Sequence, residues 1–420
     1  MDRHQARKVS STTELVSAVA DEGVREIRVA GALAGVPTLR LAPGQILVGE
    51  GDEARVAFAA GVDGVELSRD NAVKALTLAA NADRRVLLND TSHPTLGRME
   101  LQKLQVTGVV QLLAANAVRT GHVEAHGIDI AAADARGYDR RPKGYSVEVL
   151  PGAFTLWNQH ADPTVTITAD LTCLSAGRAG TPVKGSGIFV SGGGDGAGRM
   201  DVSRLITGAV FSDGGIAPGT PDRITGGVFV VHGAYVDLVR TCGVVTTYGP
   251  NDMVLDNWGT VDRWIAEAKV TSHGPSGIGF VNFGAINQLE VQAPIETFGQ
   301  GARGFNVYAG TVGSATFDRI VTHADGAVGL QVSQPIGTIL VKRGIETFGQ
   351  AGDSLVKGAV VRLSPIAFSI KPGGAVERAE IRGGLITHGS GIEALELHGR
   401  VGELLVKGGL APAGGGFEAI

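Results

Sequence analysis

From about residue 245 onward, the chain repeats one pattern of apolar and polar positions every 25 residues. The repeat contains a tetrad that consists of threonine or serine, a ring-bearing residue, glycine and one further residue. The tetrad glycine lies at 249, 274, 299 and 349, and Ala324 stands in place of the glycine in the copy between 299 and 349. A last copy around Gly389 follows 40 residues later, so one repeat carries an insertion of 15 residues. Six residues beyond the tetrad glycine an apolar position recurs, occupied by Leu255, Phe280, Phe305, Leu330, Leu355 and Leu395.

Each repeat holds about three short apolar stretches separated by Gly, Pro, Asn or Asp. Such short stretches with turn residues between them favour strands and exclude helix pairs. If each repeat forms one coil, equivalent residues of successive coils lie about 4.8 Å apart, and the apolar position forms one buried column. The repeat therefore predicts an all-β solenoid, a parallel β-helix with coils of about 25 residues.

The N-terminal region predicts a cap for this solenoid. Residues 11–19 place Ser11 before an amphipathic stretch with Glu14 three positions later, which is typical of a capped helix. A helix there covers the open end of the first coil. We expect one domain over 1–420, with the cap and first coil in 1–50, coils in 51–410 and a tail in 411–420.

The segment that follows this helix carries short strands and ends in Gly49-Glu50-Gly51. With the helix, it resembles the pectate-lyase-like superfamily, which implies a single-stranded right-handed parallel β-helix. The resemblance also implies a homotrimer, because such proteins often trimerise along a flat face. The superfamily's catalytic strings are missing: no Asp-Asp pair occurs, and Gly121-His122 is followed by Val123. Activity on polygalacturonate is therefore not expected.

Composition limits the classes of protein. With 63 glycines, 43% hydrophobic and 19% charged residues, the chain is expected to fold rather than remain disordered. No run of about 18 apolar residues predicts a membrane span, and a net charge of −5 with interspersed signs argues against a nucleic-acid partner. Two cysteines are too few for a disulfide framework. We expect no cofactor and no metal, and, without an apolar leader at the N-terminus, a cytoplasmic location.

The positions beside the buried column carry the candidate chemistry. Because strand residues alternate between faces, we expect these positions to face outward. One recurring position contains Gly279, Gly304 and Gly329. A second contains Asp256 and Asn306, and a third contains Trp258, Phe283 and Tyr308. Glycines beside polar and aromatic side chains predict a shallow groove for a sugar ring. Alternatively, the aromatic residues pack at a corner of the coil without a ligand.

Cleavage of a glycosidic bond requires two carboxyl groups about 5 to 10 Å apart. The catalytic candidates are Asp252, Asp256 and Glu296, paired as Asp252 with Asp256 or Asp256 with Glu296. The substrate-binding candidates are Trp157, Asn158, Asn257, Trp258, Asn282, Phe283, Arg303, Asn306 and Tyr308. Asn257 and Asn282 could instead form an inward asparagine ladder that binds turn backbone.

Three histidines share the ring-bearing tetrad position with Tyr248 and Phe298; they are His273, His323 and His388. We interpret them as rings stacked between coils rather than as metal ligands.

Taken together, these features predict an enzyme that uses surface carboxylates of the β-helix to cleave or rearrange a glycosidic linkage of an oligosaccharide, as a glycoside hydrolase, a lyase or an intramolecular fructotransferase. An isomerase of a small sugar is not separable from it by sequence. The alternative is a non-catalytic carbohydrate-binding or structural β-helix. The expected partner is an oligosaccharide or small sugar, without nucleic acid or membrane.

Overall fold

Almost every element of the computed structural model is a β-strand, and most strand pairs are parallel. The structure describes residues 5–356 and 358–413. Contacts divide the chain into two units: the first contains residues up to 137, 151–207 and 231–235, and the second contains 138–150, 208–230 and 236 onward. The one-domain description stays a prediction. Residues 414–420 of the predicted tail lie outside the described residues, whereas 411–413 belong to a strand.

The elements of the first unit alternate long and short strands. Up to residue 137 they are β1 (Gln5–Val9), α1 (Thr12–Ala20), β2 (Val24–Val36), β3 (Leu39–Arg40), β4 (Ile46–Phe58), β5 (Val65–Leu67), β6 (Ala72–Ala79), β7 (Arg85–Asn89), β8 (Thr95–Thr107), β9 (Val109–Ala114) and β10 (Thr120–Ala132). The segment 138–150 of the second unit then contributes a short antiparallel hairpin, β11 (Lys143–Gly144) and β12 (Val147–Val149). The first unit resumes with β13 (Gly152–Asn158), β14 (Thr166–Ala176), β15 (Val183–Lys184) and β16 (Ser186–Ser191), and β17 (Arg199–Asp213) leads into the second.

In the first unit, each coil contributes one strand to each of two parallel sheets. The long strands pair in the order β1, β2, β4, β6, β8, β10 and β14. The short strands pair in the order β3, β5, β7, β9, β13 and β16. This arrangement of parallel strands is consistent with a β-helix.

The predicted N-terminal helix is confirmed. Helix α1 begins after Ser11, whose hydroxyl accepts a hydrogen bond from the backbone N–H of Glu14 at 3.3 Å. The Glu14 carboxylate accepts one from the N–H of Ser10 at 2.7 Å, so both sides of a capping box are present. Leu15, Ala18 and Val19 are the buried face of the helix. The strand β1 that precedes it was not predicted.

The second unit has three strands in each coil. They are β18 (Arg223–Val230), β19 (Ala234–Thr241, whose first two residues belong to the first unit), β20 (Val245–Thr247), β21 (Asp252–Asn257), β22 (Thr260–Ala266), β23 (Val270–Ser272), β24 (Ile278–Asn282), β25 (Ala285–Val291), β26 (Ile295–Thr297), β27 (Arg303–Val307), β28 (Thr311–Phe317), β29 (Ile320–Thr322), β30 (Val328–Val332), β31 (Pro335–Val341), β32 (Ile345–Thr347), β33 (Gly352–Val356), β34 (Ala359–Leu363), β35 (Phe368–Ile370), β36 (Ala375–Ile381), β37 (Leu385–Ser390), β38 (Leu395–Leu397), β39 (Arg400–Val406) and β40 (Leu410–Ala413). The sheet formed by β18, β21, β24, β27, β30, β35 and β38 in parallel is called the site sheet below.

The 25-residue register is confirmed in the site sheet. Leu255 pairs with Phe280, Phe280 with Phe305 and Phe305 with Leu330, and all four side chains are fully buried. The rings of Phe280 and Phe305 contact aromatic residues of other strands, Trp264 at 4.9 Å and Phe317 at 4.7 Å between centroids. This column therefore faces the core.

The column continues differently from the prediction. Leu330 pairs with Phe368, and Phe368 with Leu395, so the assignment of Leu355 to this column is wrong. Leu355 lies instead in an antiparallel hairpin formed by β33 and β34. The hairpin occupies most of the 15-residue insertion, and a residue count cannot show which side of the insertion continues the coil.

The glycine column was predicted to line an outer groove, and this expectation is wrong. A Cβ atom added to Gly279, Gly304 or Gly329 would overlap the Cγ2 atom of an isoleucine on β26, β29 or β32. The isoleucines, Ile295, Ile320 and Ile345, are buried. The glycines let core side chains approach the strand backbone closely.

None of the helices within the described residues is both long and apolar enough to cross a membrane.

Candidate functional site

The outer face of the site sheet is covered rather than open. Val281, one position beyond the core-facing Phe280, lines a small cavity of about 60 Å³. The cover comes from three other segments of the second unit, through Tyr145 and Val147, through Pro221, and through Leu355 of the β33–β34 hairpin. Since one water needs about 10–15 Å³ of such volume, the cavity holds a few waters and is smaller than a sugar ring.

Three rings on successive coils form the floor of this region, and we call them the covered ring ladder: Trp258, Phe283 and Tyr308. The Phe283 and Tyr308 rings stack at 5.3 Å with planes 25° apart, while Trp258 meets Phe283 edge-on at 5.8 Å. Trp258 is 2% exposed and Tyr308 is 9% exposed. The predicted aromatic column therefore exists, but beneath a cover.

Tyr145 is the covering residue that sequence reasoning missed. Its ring lies 4.3 Å from that of Phe283 and 5.1 Å from that of Trp258, and its hydroxyl donates to the backbone oxygen of Phe283 at 3.2 Å. Tyr145 and Ser146 both have positive φ, 50° and 69°, which is strained for residues other than glycine. The 138–150 segment, called the strap below, thus holds a ring over the ladder at a conformational cost.

Asp256 lies on this covered face. It pairs in register with Val281, which pairs with Asn306, so the three side chains share one side of the sheet. Two strand spacings put the Asp256 and Asn306 backbones about 10 Å apart. Asp256 and Asn306 are fully buried, and in the described chain neither side chain has a hydrogen-bond partner of normal geometry.

The protonation of Asp256 follows from its burial. Loss of water raises the pKa of Asp256 well above its ordinary value, and the Trp258 indole and the Asn257 backbone N–H oppose this only in part. Burial therefore favours the protonated, neutral form of the carboxyl group, which is able to donate a proton.

The expectation that Asp252 and Asp256 lie at the surface is wrong, since both are buried. Asp252 is also engaged: one oxygen accepts from Thr225 Oγ1 at 2.6 Å, and the other from the N–H groups of Gly214 at 3.0 Å and Gly249 at 2.7 Å. Burial raises the pKa of Asp252 to about 6, against these three hydrogen bonds. Asp252 joins two loops to the start of β21.

Glu296 lies outside the site sheet. It is on β26, which pairs with β23 and β29. Its carboxylate is paired with Lys269, and His323 Nε2 lies 2.8 Å from it. Burial alone would raise the pKa of Glu296, but these two partners outweigh it and lower the pKa. The structure therefore does not place Glu296 beside Asp256 on the covered face.

Arg303 is 1% exposed and is among the largest fully buried side chains of the described residues. It continues the row of Met253 and Ile278 across the site sheet, and both of those residues line the cavity. Its guanidinium carbon lies 6.0 Å from the Tyr308 ring centroid. Arg303 thus belongs to the covered face together with Asp256 and Asn306.

The remaining binding candidates make structural contacts. Asn257 donates to Asn282 Oδ1 at 2.8 Å and to Gly259 O at 3.3 Å, and Asn282 donates to Gly284 O at 2.9 Å. This is the inward ladder given above as the alternative for the two asparagines.

Trp157 and Asn158 belong to the first unit. The Trp157 indole donates to Gly192 O at 3.1 Å, and the Asn158 amide donates to Val165 O and Arg199 O at 3.1 and 2.9 Å. The Trp157 side chain is 8% exposed and that of Asn158 is fully buried. Their polar groups are used in closing the loops around them.

A second column of rings runs along the tetrads, and we call it the exposed ring ladder: Tyr248, His273, Phe298, His323, Phe348 and His388. Neighbouring centroids are 4.2 to 5.3 Å apart, and the planes differ by 3° to 11°. The prediction that the three histidines stack between coils is confirmed. No group of three or more His, Cys, Asp or Glu residues placed to hold a metal occurs in 5–356 or 358–413.

The covered face combines a buried carboxyl group, an amide and a guanidinium with apolar rings. Apolar sites with a few polar groups of this kind are typical of small-molecule binding. The sequence pointed to Asp256, Asn306 and the rings because they occupy positions of the repeat beside the buried column. It held no signal for Tyr145, which lies outside the repeats.

Comparisons of the chain with models of protein families, with curated proteins and with solved structures found no match.

Proposed function

We propose that the second unit is a carbohydrate-active enzyme that cleaves or rearranges a glycosidic linkage, with Asp256 as its acid. The proposal includes coils wound as a right-handed β-helix of the pectate-lyase-like type, a cytoplasmic location and a homotrimer. The substrate is an oligosaccharide or a small sugar that binds on the covered ring ladder.

The observation that carries this proposal is the state of the Asp256 carboxyl group. It is fully buried, without a hydrogen-bond partner of normal geometry in the described chain. Burial of such a group is unfavourable unless a ligand supplies its hydrogen-bond partner. A carboxyl group whose pKa is raised by burial is also suited to protonate a departing sugar oxygen near neutral pH.

The rings supply the second support. Sugar rings present apolar C–H faces that pack on aromatic side chains, and Tyr145 now occupies the place above Phe283 and beside Trp258. Because the cavity of about 60 Å³ is smaller than a sugar, binding requires the strap to move and Tyr145 to leave. The positive φ angles of Tyr145 and Ser146 are those of the two-residue turn that joins β11 to β12, so Tyr145 lies at the tip of the strap hairpin.

A non-catalytic carbohydrate-binding module is the second candidate, and one observation favours it. Glycosidic cleavage by a pair of carboxyl groups needs a second free one. The Asp252 carboxylate accepts three hydrogen bonds, and Glu296 lies in another sheet. In an enzyme, the second group must therefore come from Asp252 after rearrangement or from the substrate itself.

The test is incubation of the protein with a panel of oligosaccharides, followed by mass spectrometry of the products. Replacement of the acid in Asp256→Asn is expected to lower turnover by about 10²–10⁴-fold with an unchanged melting temperature. Asp262→Asn, which changes an exposed aspartate of β22, is the matched control and should retain full activity.

Full activity of Asp256→Asn would exclude Asp256 as the acid, and a large fall in its melting temperature would assign it a structural role. Saturable binding of a sugar by the wild type without any new product would favour the binding module.

A further inference from the structure

The Arg303 guanidinium is a positively charged group buried inside the protein. Its one hydrogen bond within the described residues runs from Nη1 to Gly301 O at 3.3 Å, and its Nε–H has no acceptor. Gly301 O is shared, because it also accepts from Ser354 Oγ of the β33–β34 hairpin at 2.7 Å. In the described part of the chain no carboxylate lies within ion-pair distance of Arg303.

Arg303 differs from Asp256 in one chemical respect. A buried carboxyl group becomes neutral by taking a proton, whereas a guanidinium stays charged at every pH a protein experiences. The covered face therefore holds the positive charge of a guanidinium group. Burial of an unpaired charge is strongly unfavourable, so such a group is expected to have a partner in the working state.

The position of Arg303 connects this charge with the cavity. Ile278, its partner on the neighbouring strand, lines the cavity, as does Tyr308, whose ring centroid is 6.0 Å from the guanidinium carbon. On the other side, the N–H of Leu355 donates to Ser276 Oγ at 2.9 Å, and both of these residues line the cavity as well. Arg303 does not itself line the cavity, but its neighbours Ile278 and Tyr308 do, and the Gly301 oxygen that it binds also accepts from the hairpin.

From this geometry we infer that the ligand of the covered face carries an oxyanion that binds Arg303. The planar guanidinium matches the paired oxygens of a carboxylate, sulfate or phosphate group, and it offers the free Nε–H together with its Nη groups. This inference rests on the proposed sugar site and adds a charged substituent to its substrate. Asp256 and Asn306 then bind uncharged oxygens of the same ligand.

The experiment compares binding of matched sugars, neutral, carboxylated, sulfated and phosphorylated, to the wild type and to Arg303→Met, by calorimetry. We expect one charged sugar to bind at least about tenfold more tightly than its neutral counterpart, because charged hydrogen bonds form in a buried site. Arg303→Met should lose this preference and, without ligand, melt at a higher temperature than the wild type. Arg263→Met, which removes an exposed arginine of β22, should keep the preference.

Equal affinity of the wild type for a neutral sugar and all its charged forms would overturn the inference while leaving the sugar site intact. If no sugar binds, the proposed function fails, and inorganic sulfate and phosphate decide the inference alone. Stabilisation of the wild type by either anion, absent in Arg303→Met, would support the anion site, and its absence would exclude it. Should Arg303→Met not fold, the charged and neutral arms on the wild type give the decision.

Discussion

The second unit contains two columns of rings that arise from the same repeat and differ in almost every physical respect. The exposed ring ladder consists of nearly parallel rings, with Phe298 40% exposed, and its histidines His323 and His388 lie 2.8 and 2.9 Å from glutamates. The rings of the covered ring ladder are tilted relative to one another and lie beneath Tyr145. They share their face with the side chains of Asp256 and Asn306, which have no hydrogen-bond partner of normal geometry among the described residues.

The difference shows where structure alone accounts for the residues and where it does not. In the exposed ladder each ring rests on the next coil, and Glu296 and Glu346 pair with basic residues, so its charged groups are paired. Within the described residues, the groups buried without a partner beside it are neutral hydroxyls, those of Thr247, Ser272 and Thr297. On the covered face Asp256, Asn306 and Arg303 are buried at a cost that the described residues offset only in part, through Trp258 and Asn257 for the carboxyl group and through Gly301 O for the guanidinium. A region of that kind is more easily explained by a ligand than by stability.

The largest expected effect comes from truncating one ring of each ladder. Trp258→Ala removes a side chain that is 2% exposed and should lower the free energy of unfolding by about 3–5 kcal/mol. Phe298→Ala, the matched change in the exposed ladder, should cost about 1 kcal/mol, because only stacking is lost. Urea unfolding of both variants measures the difference, and equal losses would contradict the division into covered and exposed ladders.

The next effect is a pH dependence at the edge of the covered face. Burial raises the pKa of Asp252 to about 6 from an ordinary 3.8, so between these values the folded chain holds a proton that the unfolded chain has lost. Stability should therefore fall by about 3 kcal/mol as pH rises from about 4 to about 6, and stay constant above.

Asp252→Asn provides the comparison, because an amide mimics the protonated carboxyl group: its oxygen accepts from the N–H groups of Gly214 and Gly249, and its NH2 group donates to the Thr225 hydroxyl. Unfolding by urea at several pH values should show that the difference between variant and wild type grows across this interval. A constant difference would mean that Asp252 does not titrate there.

The smallest effect has the opposite sign and belongs to the exposed ladder. The pKa of Glu296 is lowered, because Lys269 and His323 outweigh its burial. Glu296→Gln should therefore cost at most about 1 kcal/mol at pH 7, and this loss should disappear as pH falls through the lowered pKa, where the wild-type carboxylate is itself neutral. A loss that persists at pH 2 would show that Glu296 acts through packing instead of charge.

The repeat predicted much of the second unit because equivalent residues of stacked coils must meet. Two features follow directly from the 25-residue spacing. They are the pairing of Leu255, Phe280, Phe305 and Leu330, and the stacking of each ring on the next from Tyr248 to Phe348. Leu355 shows the limit of that reasoning. It fits the spacing, but the inserted hairpin removes it from the coil, and strand pairing decides the column.

The glycine column failed for a related reason. Strict alternation places Gly279, Gly304 and Gly329 opposite to Phe280, but an added Cβ at each would meet a core isoleucine. Ile278 and Val281 line the cavity on the covered face, whereas Gly279 and Phe280 between them face the core, so alternation is interrupted at this point of the strand.

By itself, the sequence determined the features that each coil shares with its neighbours: the coil length, the core column, the ring ladders and, as one of two alternatives, the asparagine ladder. These depend on contacts between one coil and the next, which a period makes visible. It also predicted the N-terminal helix. Only the tertiary structure decided that Asp256, Asn306 and Arg303 are buried, because their cover comes from the strap and the hairpin. Burial depends on every segment that packs on a surface, and the strap lies about a hundred residues upstream of Asp256, outside any period that relates them.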